Sequence, residues 1–295
     1  MSMRRNLTSK RIIFRGFTLV EMAIVLVIIG LTIGTLTATI SAQVEHRDLS
    51  ETRNTLENIK ESLLGYAMAN GRLPCPAQTP GTGIIGVEYF SGGSPAGTSA
   101  NGLCGQFYDG FVPAATLGLS PANTSGYILD AWNNPIRYAV FDLSDGTVSK
   151  DLLTATDGIK NANINGTSTD ASCSTKSGME FVGCMSLLYV CDASPTAAAG
   201  DVAADCGTAT SLSRSTSSRG GVVFVVYSTG KNAATGGTGK DEAANPNSNS
   251  TNNDPVFVSH DPSGSGAAGG EFDDLMVWVS PNTIFARLVQ ANKLP

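Results

Sequence analysis

The stretch Arg15-Gly16-Phe17-Thr18-Leu19-Val20-Glu21, followed by a run without a charged side chain from Met22 to Val44, decides how this chain is read. An apolar run of about 20 residues has the length of a membrane-crossing helix, and Glu21 stands at its mouth. Upstream lie Arg4, Arg5, Lys10, Arg11 and Arg15 with no acidic residue among them, and basic flanks of this kind stay on the cytoplasmic side of a membrane. A carboxylate at mid-bilayer costs roughly 2.5–3.5 kcal/mol on insertion scales, less near the interface, so Glu21 calls for a reason. A secretory signal has an apolar core of about 7–15 residues before a small-residue cleavage site, for which Ala38 to Ala42 could serve loosely. A plain signal anchor fits the length but assigns no role to Gly16 or Glu21.

The segment Gly16-Phe17-Thr18-Leu19-Val20-Glu21 resembles the cleavage and methylation site of type IV prepilins and type II secretion pseudopilins. The resemblance implies that a prepilin peptidase cuts after Gly16, that the new amine of Phe17 is methylated, and that Glu21 pairs with the N-terminal amine of a neighbouring subunit during assembly. Opposite charges attract far more strongly in an apolar surround than in water, and an acid left unpaired there is penalised, which favours one docking register. The alternative role for Glu21 is to be stabilised by the N-terminus of its own helix. Residues 1–16 are then a cytoplasmic leader, 17–48 a transmembrane and filament-core helix, and 49–295 a periplasmic or extracellular head. The implied location is the bacterial inner membrane, single-pass, and a pilus or pseudopilus after assembly. The implied partners are other pilin or pseudopilin subunits, the prepilin peptidase, the inner-membrane assembly machinery and, before assembly, the lipid bilayer.

Beyond Glu45, His46, Arg47 and Asp48 the pattern turns amphipathic, with Leu49, Leu56, Ile59, Leu63, Tyr66 and Ala67 at three- and four-residue steps. Gly71 and Pro74 are the expected stop. A helix from Phe17 to Asn70 at about 1.5 Å per residue would reach roughly 80 Å. The expected fold is α+β: a long N-terminal helix with a membrane-spanning half and an amphipathic half, the latter packed on an antiparallel sheet head, the pilin-like lollipop implied by the resemblance. No proline interrupts Phe17 to Asn70, where many major pilins carry one, and this absence, together with the size and long loops, leans toward a minor subunit.

The formal charge of −6 becomes more negative once the leader's basic residues are lost, which argues against nucleic acid as a partner. Charged residues make up only 15% of the chain and glycines number 33, which suits a loop-rich exported module. Cys75, Cys104, Cys173, Cys184, Cys191 and Cys206 are an even set without a CxxC spacing, so disulfides are expected in an oxidising compartment. Of the fifteen pairings, neighbour pairing is favoured: Cys75 with Cys104, Cys173 with Cys184, Cys191 with Cys206.

In the head, strands are expected at Ile136 to Asp142, Met185 to Cys191, Gly221 to Ser228 and Phe272 to Ser280. A helix should start at Ser280-Pro281 with Ile284, Phe285, Leu288 and Val289 on its apolar face. Ser194 to Gly220 and Gly230 to Gly270 read as exposed loops. Asp130-Ala131-Trp132-Asn133-Asn134-Pro135-Ile136-Arg137-Tyr138 is similar to a turn segment of pseudopilins, with Asn133 where glycine is usual. Tyr227-Ser228-Thr229-Gly230 and Gly269-Gly270-Glu271-Phe272-Asp273-Asp274 are similar to the calcium-loop end of the major secretion pseudopilins. The resemblance would imply calcium at Asp273 and Asp274, the ion taking about 6–8 oxygen ligands, but the favoured reading is a solvated acidic loop at a strand start, with no cofactor expected.

Catalysis has little to recommend it. Gly236-Gly237-Thr238-Gly239-Lys240 misses the first glycine of a phosphate loop, because Ala234 stands there. Both histidines are isolated in sequence, and Asp273 and Asp274 should alternate across a strand. The expected activity is assembly into a filament, the alternative being a membrane-anchored periplasmic binding protein or adhesin that does not polymerise.

Overall fold

The computed structural model of the chain describes residues 16–78, 86–92, 97–120, 123–124, 126–142, 151–162, 188–195, 206–213, 221–233, 239–245 and 255–294, the side chains of 34–42 and 161–162 excepted. The leader up to Arg15, the pair Cys173 and Cys184, and the glycine-rich 236–238 lie outside the described residues. Two units make up the chain, one ending at Arg47 and the other covering Asp48–Pro295.

Helix α1 spans Leu19–Asn70. Its start is a capping box: the Thr18 N–H and Thr18 Oγ1 each donate to Glu21 Oε2 at 2.9 Å, and the Glu21 N–H donates to Thr18 Oγ1 at 3.3 Å. Its end is set by Gly71, which takes a left-handed φ of 67° and donates its N–H to the Ala67 carbonyl at 2.8 Å, a conformation a Cβ disfavours.

The expected membrane-spanning half is corrected: among the described residues no helix is long and apolar enough to cross a membrane. From Glu45 the helix carries charge. The expected single-pass inner-membrane location loses its basis with that span.

In the second unit, α1 lays Leu56, Ile59, Leu63, Leu64 and Ala67 into the core, each 2% exposed or less. Facing them is a four-stranded antiparallel sheet of order β1-β2-β4-β6, from Gly110–Phe111, Arg137–Val140, Phe224–Ser228 and Leu275–Val279. Alternation along the strands separates two cores, as a period of two demands. Tyr138, Val140, Phe224, Val226, Leu275 and Val279 join the helical core, together with Ile284, Phe285 and Leu288 of helix α4 (Pro281–Gln290). Ala139, Val225 and Tyr227 turn the other way, with Met276 and Trp278 packed beside them, and meet Leu188, Val190 and Phe257. Val190 and Phe257 belong to a parallel pair, β3 (Tyr189–Cys191) and β5 (Val256–Val258), and Leu188 immediately precedes β3. Short helices α2 (Ala114–Leu117) and α3 (Gly158–Ala162) and a 3-10 turn at Glu242–Ala244 complete the elements of the described residues.

Neither β1 nor β5 was expected. Two residues carry no readable period, and β5 lies in the Gly230 to Gly270 stretch, whose polar composition hides the short run Val256-Phe257-Val258. Cys75 is bonded to Cys104 and Cys191 to Cys206. The first bond ties the segment after α1 into the head, and the second anchors the end of β3.

Candidate functional site

Two polar turns meet at one end of the central sheet. Asp130 Oδ1 accepts from the N–H groups of Trp132 at 2.9 Å and Asn134 at 2.8 Å, closing a turn in which Asn133 takes a φ of 67°. Asparagine tolerates that region better than most residues. Asp130 Oδ2 accepts from Ser228 Oγ at 2.6 Å, and Asn134 Nδ2 donates to the Gly230 carbonyl at 2.6 Å. Thr52 Oγ1, fully buried on α1, accepts from the Ala131 N–H at 3.2 Å. The turn at Asp130–Asn134 and the segment Ser228–Gly230 are therefore in direct contact, and α1 is bonded to the first of them.

Behind this junction lies an acidic centre. Ligand oxygens of Glu242, Asp273 and Asp274 all lie within 4.8 Å of one another. Glu242 and Asp274 are each only 3% exposed, and Asp273 is half-buried. The two aspartates precede β6 rather than lying within it, and strand alternation does not separate them. Each acid is positioned by its neighbours. Glu242 Oε1 accepts from the Asp273 N–H at 3.2 Å and Oε2 from Asn232 Nδ2 at 3.0 Å. Asp273 Oδ2 accepts from the Lys231 N–H at 3.0 Å. Asp274 Oδ2 accepts from Asn245 Nδ2 at 2.6 Å, and buried Asn245 is itself locked to β5 by donating to the Val258 carbonyl at 2.9 Å and accepting from the Val258 N–H at 2.7 Å. Tyr227 Oη donates to the Asn245 carbonyl at 2.8 Å.

Asp273 Oδ1 and Asp274 Oδ1 are buried without a hydrogen-bond partner among the described residues. A buried acceptor in that condition is costly. Gly230, at a φ of 64°, leaves room for Asp273, since a Cβ there would collide with its carboxylate. Burial pushes Asp273 up to about 7, with the hydrogen bond and negative charge of Glu242 adding to the effect. Burial likewise pushes Asp274 up to about 8; its Asn245 bond opposes the rise and the charges of Glu242 and Asp273 support it. Two orphaned carboxylate oxygens beside a third acid are a donor set suited to a hard cation.

Sequence reasoning had Asp273 and Asp274 but not Glu242, which sat inside a stretch read as exposed. The adjacent acids Asp241-Glu242 were the available signal. Asp241 turns elsewhere: its Oδ1 accepts from the Ser194 N–H at 2.6 Å and its Oδ2 lies 3.4 Å from His260 Nε2, while the His260 ring stacks on Phe272. At the other end of the chain, Gly16 and Phe17 are exposed, and Glu21 is held in the capping box. Away from this centre, buried Asp151 accepts on Oδ1 from the Leu153 and Thr154 N–H groups at 2.9 Å and from Thr154 Oγ1 at 2.7 Å, which assigns it to holding a turn.

Comparison with protein-family models, with curated proteins and with solved structures returned no match.

Proposed function

We propose that this chain is a subunit of a type IV pilus or a type II secretion pseudopilus, built to assemble rather than to turn over a substrate. The observation that carries the reading is the segment Gly16 to Glu21 standing at the start of a 52-residue helix. Leu19, Val20, Met22 and the run from Ile24 to Ile29 are apolar and exposed in their unit. A face of that size normally marks an interaction surface, and packing against the same helix of other subunits would bury it. Intact-mass analysis of the protein as its host produces it tests processing. The expected mass lacks Met1 to Gly16 and carries a methyl group on the Phe17 amine; retention of Met1, or a start near Ala42, overturns the reading.

The acidic centre fits calcium as a brace for the head, with Glu242, Asp273 and Asp274 as ligands. When bound, the ion supplies the charge that lets these carboxylates stay ionised while buried. The pH dependence has a definite sign. Asp273 and Asp274 hold protons in the folded chain well above their usual value of 3.8. Without calcium, the stability they contribute is full below about pH 4 and is lost as pH rises through about 7 to 8. Calcium should reverse that loss, so its effect should be large at pH 8 and small at pH 5. At a hundredfold excess over Kd the gain is about 2.7 kcal/mol, a rise in Tm of roughly 5–10 °C for a head of this size. Scanning calorimetry with calcium and with chelator measures it. Equal melting in both at pH 8, or an unchanged calcium response in Asp274→Asn, would remove calcium from the reading.

A further inference from the structure

The loop of residues 98–104, which carries one cysteine of the Cys75–Cys104 bond, is fastened to the turn of residues 151–156. The Asp151 N–H donates to the Asn101 carbonyl and the Thr156 N–H to the Ser99 carbonyl, both at 2.7 Å. Gly102, at a φ of 70°, lies so close that a Cβ there would collide with the backbone of Thr154 and Ala155. The fully buried Thr154 hydroxyl stands between two acceptors, 2.5 Å from the Gly102 carbonyl and 2.7 Å from Asp151 Oδ1. A hydroxyl carries one proton, so both contacts are hydrogen bonds only when Asp151 supplies a second. Among the described residues no other proton donor reaches that carbonyl, because the nearby Cys75 and Cys104 sulfurs are bonded to each other. Asp142, past the end of β2, is itself hydrogen-bonded through its side chain to Asp151. Two carboxyl groups form such a bond only with a proton between them.

We infer that Asp151, Thr154 and the Gly102 carbonyl form a proton-operated latch, closed while the Asp142–Asp151 pair is protonated and opened by its ionisation, which frees the loop from the turn. In the closed form Asp151 donates to Thr154 Oγ1, and the hydroxyl donates to the Gly102 carbonyl. An ionised Asp151 is the stronger acceptor and draws the hydroxyl proton to itself. The buried carbonyl then faces the hydroxyl oxygen with no proton between them, a costly arrangement. Burial pushes Asp151 up to about 7; the charge of Asp142 adds to the rise, and the bonds from Thr154 and Leu153 oppose it. The latch therefore contributes fully below about pH 4 and is lost as pH rises through about 7. Around the pair stand the phenols of Tyr108 and Tyr138, which burial holds neutral across this range. Arg72 donates to the Thr154 carbonyl at 3.4 Å and is paired with Glu88. The disulfide keeps the freed loop attached to the segment after α1. The inference does not require the chain to be a filament subunit.

The test is amide hydrogen exchange on the full chain in chelator, read at the turn and corrected for the intrinsic pH dependence of exchange. From pH 6 to pH 8 the protection of the Thr156 N–H should fall about fivefold or more in the wild type. In Asp151→Asn it should stay nearly constant, because the asparagine amide donates to Thr154 as the protonated acid does. Both chains carry Glu242, Asp273 and Asp274, so a loss of stability arising there would appear in both. Thr154→Val should give low protection at both pH values, and Thr154→Ser should restore the wild-type response. Where a variant fails to fold, a carbon-13 titration of the wild-type Asp151 carboxyl decides, with a transition expected near pH 7 that coincides with the loss of Thr156 protection. Equal wild-type protection at pH 6 and pH 8 overturns the inference, as does an undiminished fall in Asp151→Asn or a wild-type response in Thr154→Val. A carboxyl that titrates below pH 5 overturns it as well.

Discussion

Glu21→Ala and Glu21→Gln should both cut incorporation into filaments by about a hundredfold or more, while only the alanine variant weakens the start of α1. Both substitutions remove the charge that the proposed assembly sets against a neighbour's amine, and leaving one partner of a desolvated pair alone costs orders of magnitude in the equilibrium. The capping box gives the two variants different local effects. Glutamine at the third helical position can still bond back to the Thr18 N–H, whereas alanine cannot, and lost caps cost roughly 0.5–2 kcal/mol. The glutamine variant therefore keeps the Thr18–Glu21 geometry of the free chain and removes only the charge that would pair with the Phe17 amine of a neighbour. The ratio of sheared filament to cell-retained protein gives incorporation, and circular dichroism checks the helix. Wild-type incorporation of the glutamine variant would limit Glu21 to capping its own helix and defeat the assembly role.

Removal of the Cys75–Cys104 bond has the next largest expected effect. The bond closes a loop of sequence separation 29, for which chain entropy predicts about 3–4 kcal/mol; the loop of separation 15 at Cys191–Cys206 is worth about 3 kcal/mol on the same basis. The longer loop has further reasons to matter. Glu88 within it forms a paired contact with buried Arg72, both nitrogen–oxygen distances being 2.7 Å, and Tyr66 of α1 accepts from the same guanidinium at 2.8 Å. Arg72 is 6% exposed, so loosening the loop threatens to leave a buried charge without its carboxylate, the costly way to break such a pair. Replacing Cys75 and Cys104 together by alanine should lower Tm by roughly 10 °C in calorimetry. A change of less than about 2 °C would mean that the unfolded loop is already constrained or that the Arg72 cluster suffices alone.

The chain sequence read locally was sound where a short-range physical rule governs. Apolar spacing located the core face of α1 from Leu56 to Ala67, Gly71 marked its end, and the runs around Phe224 and Leu275 lie in the central sheet. Neighbour pairing of cysteines held for the two bonds within the described residues. Each of these depends on interactions within a few residues or on the entropy of closing a short loop. The membrane span did not survive: among the described residues no helix is long and apolar enough to cross a bilayer. Other features depend on residues distant in the chain. Glu242 reaches Asp273 and Asp274 across about thirty positions because Asn245 pins the 3-10 turn to β5 and Gly230 clears space beside the sheet end. Three-residue β5 becomes a strand through pairing with β3 and burial of Phe257 against Tyr227. Charge, period and turn chemistry act locally and can be read from the residues; convergence of acids arises only when packing brings remote segments together, and no local pattern encodes that meeting.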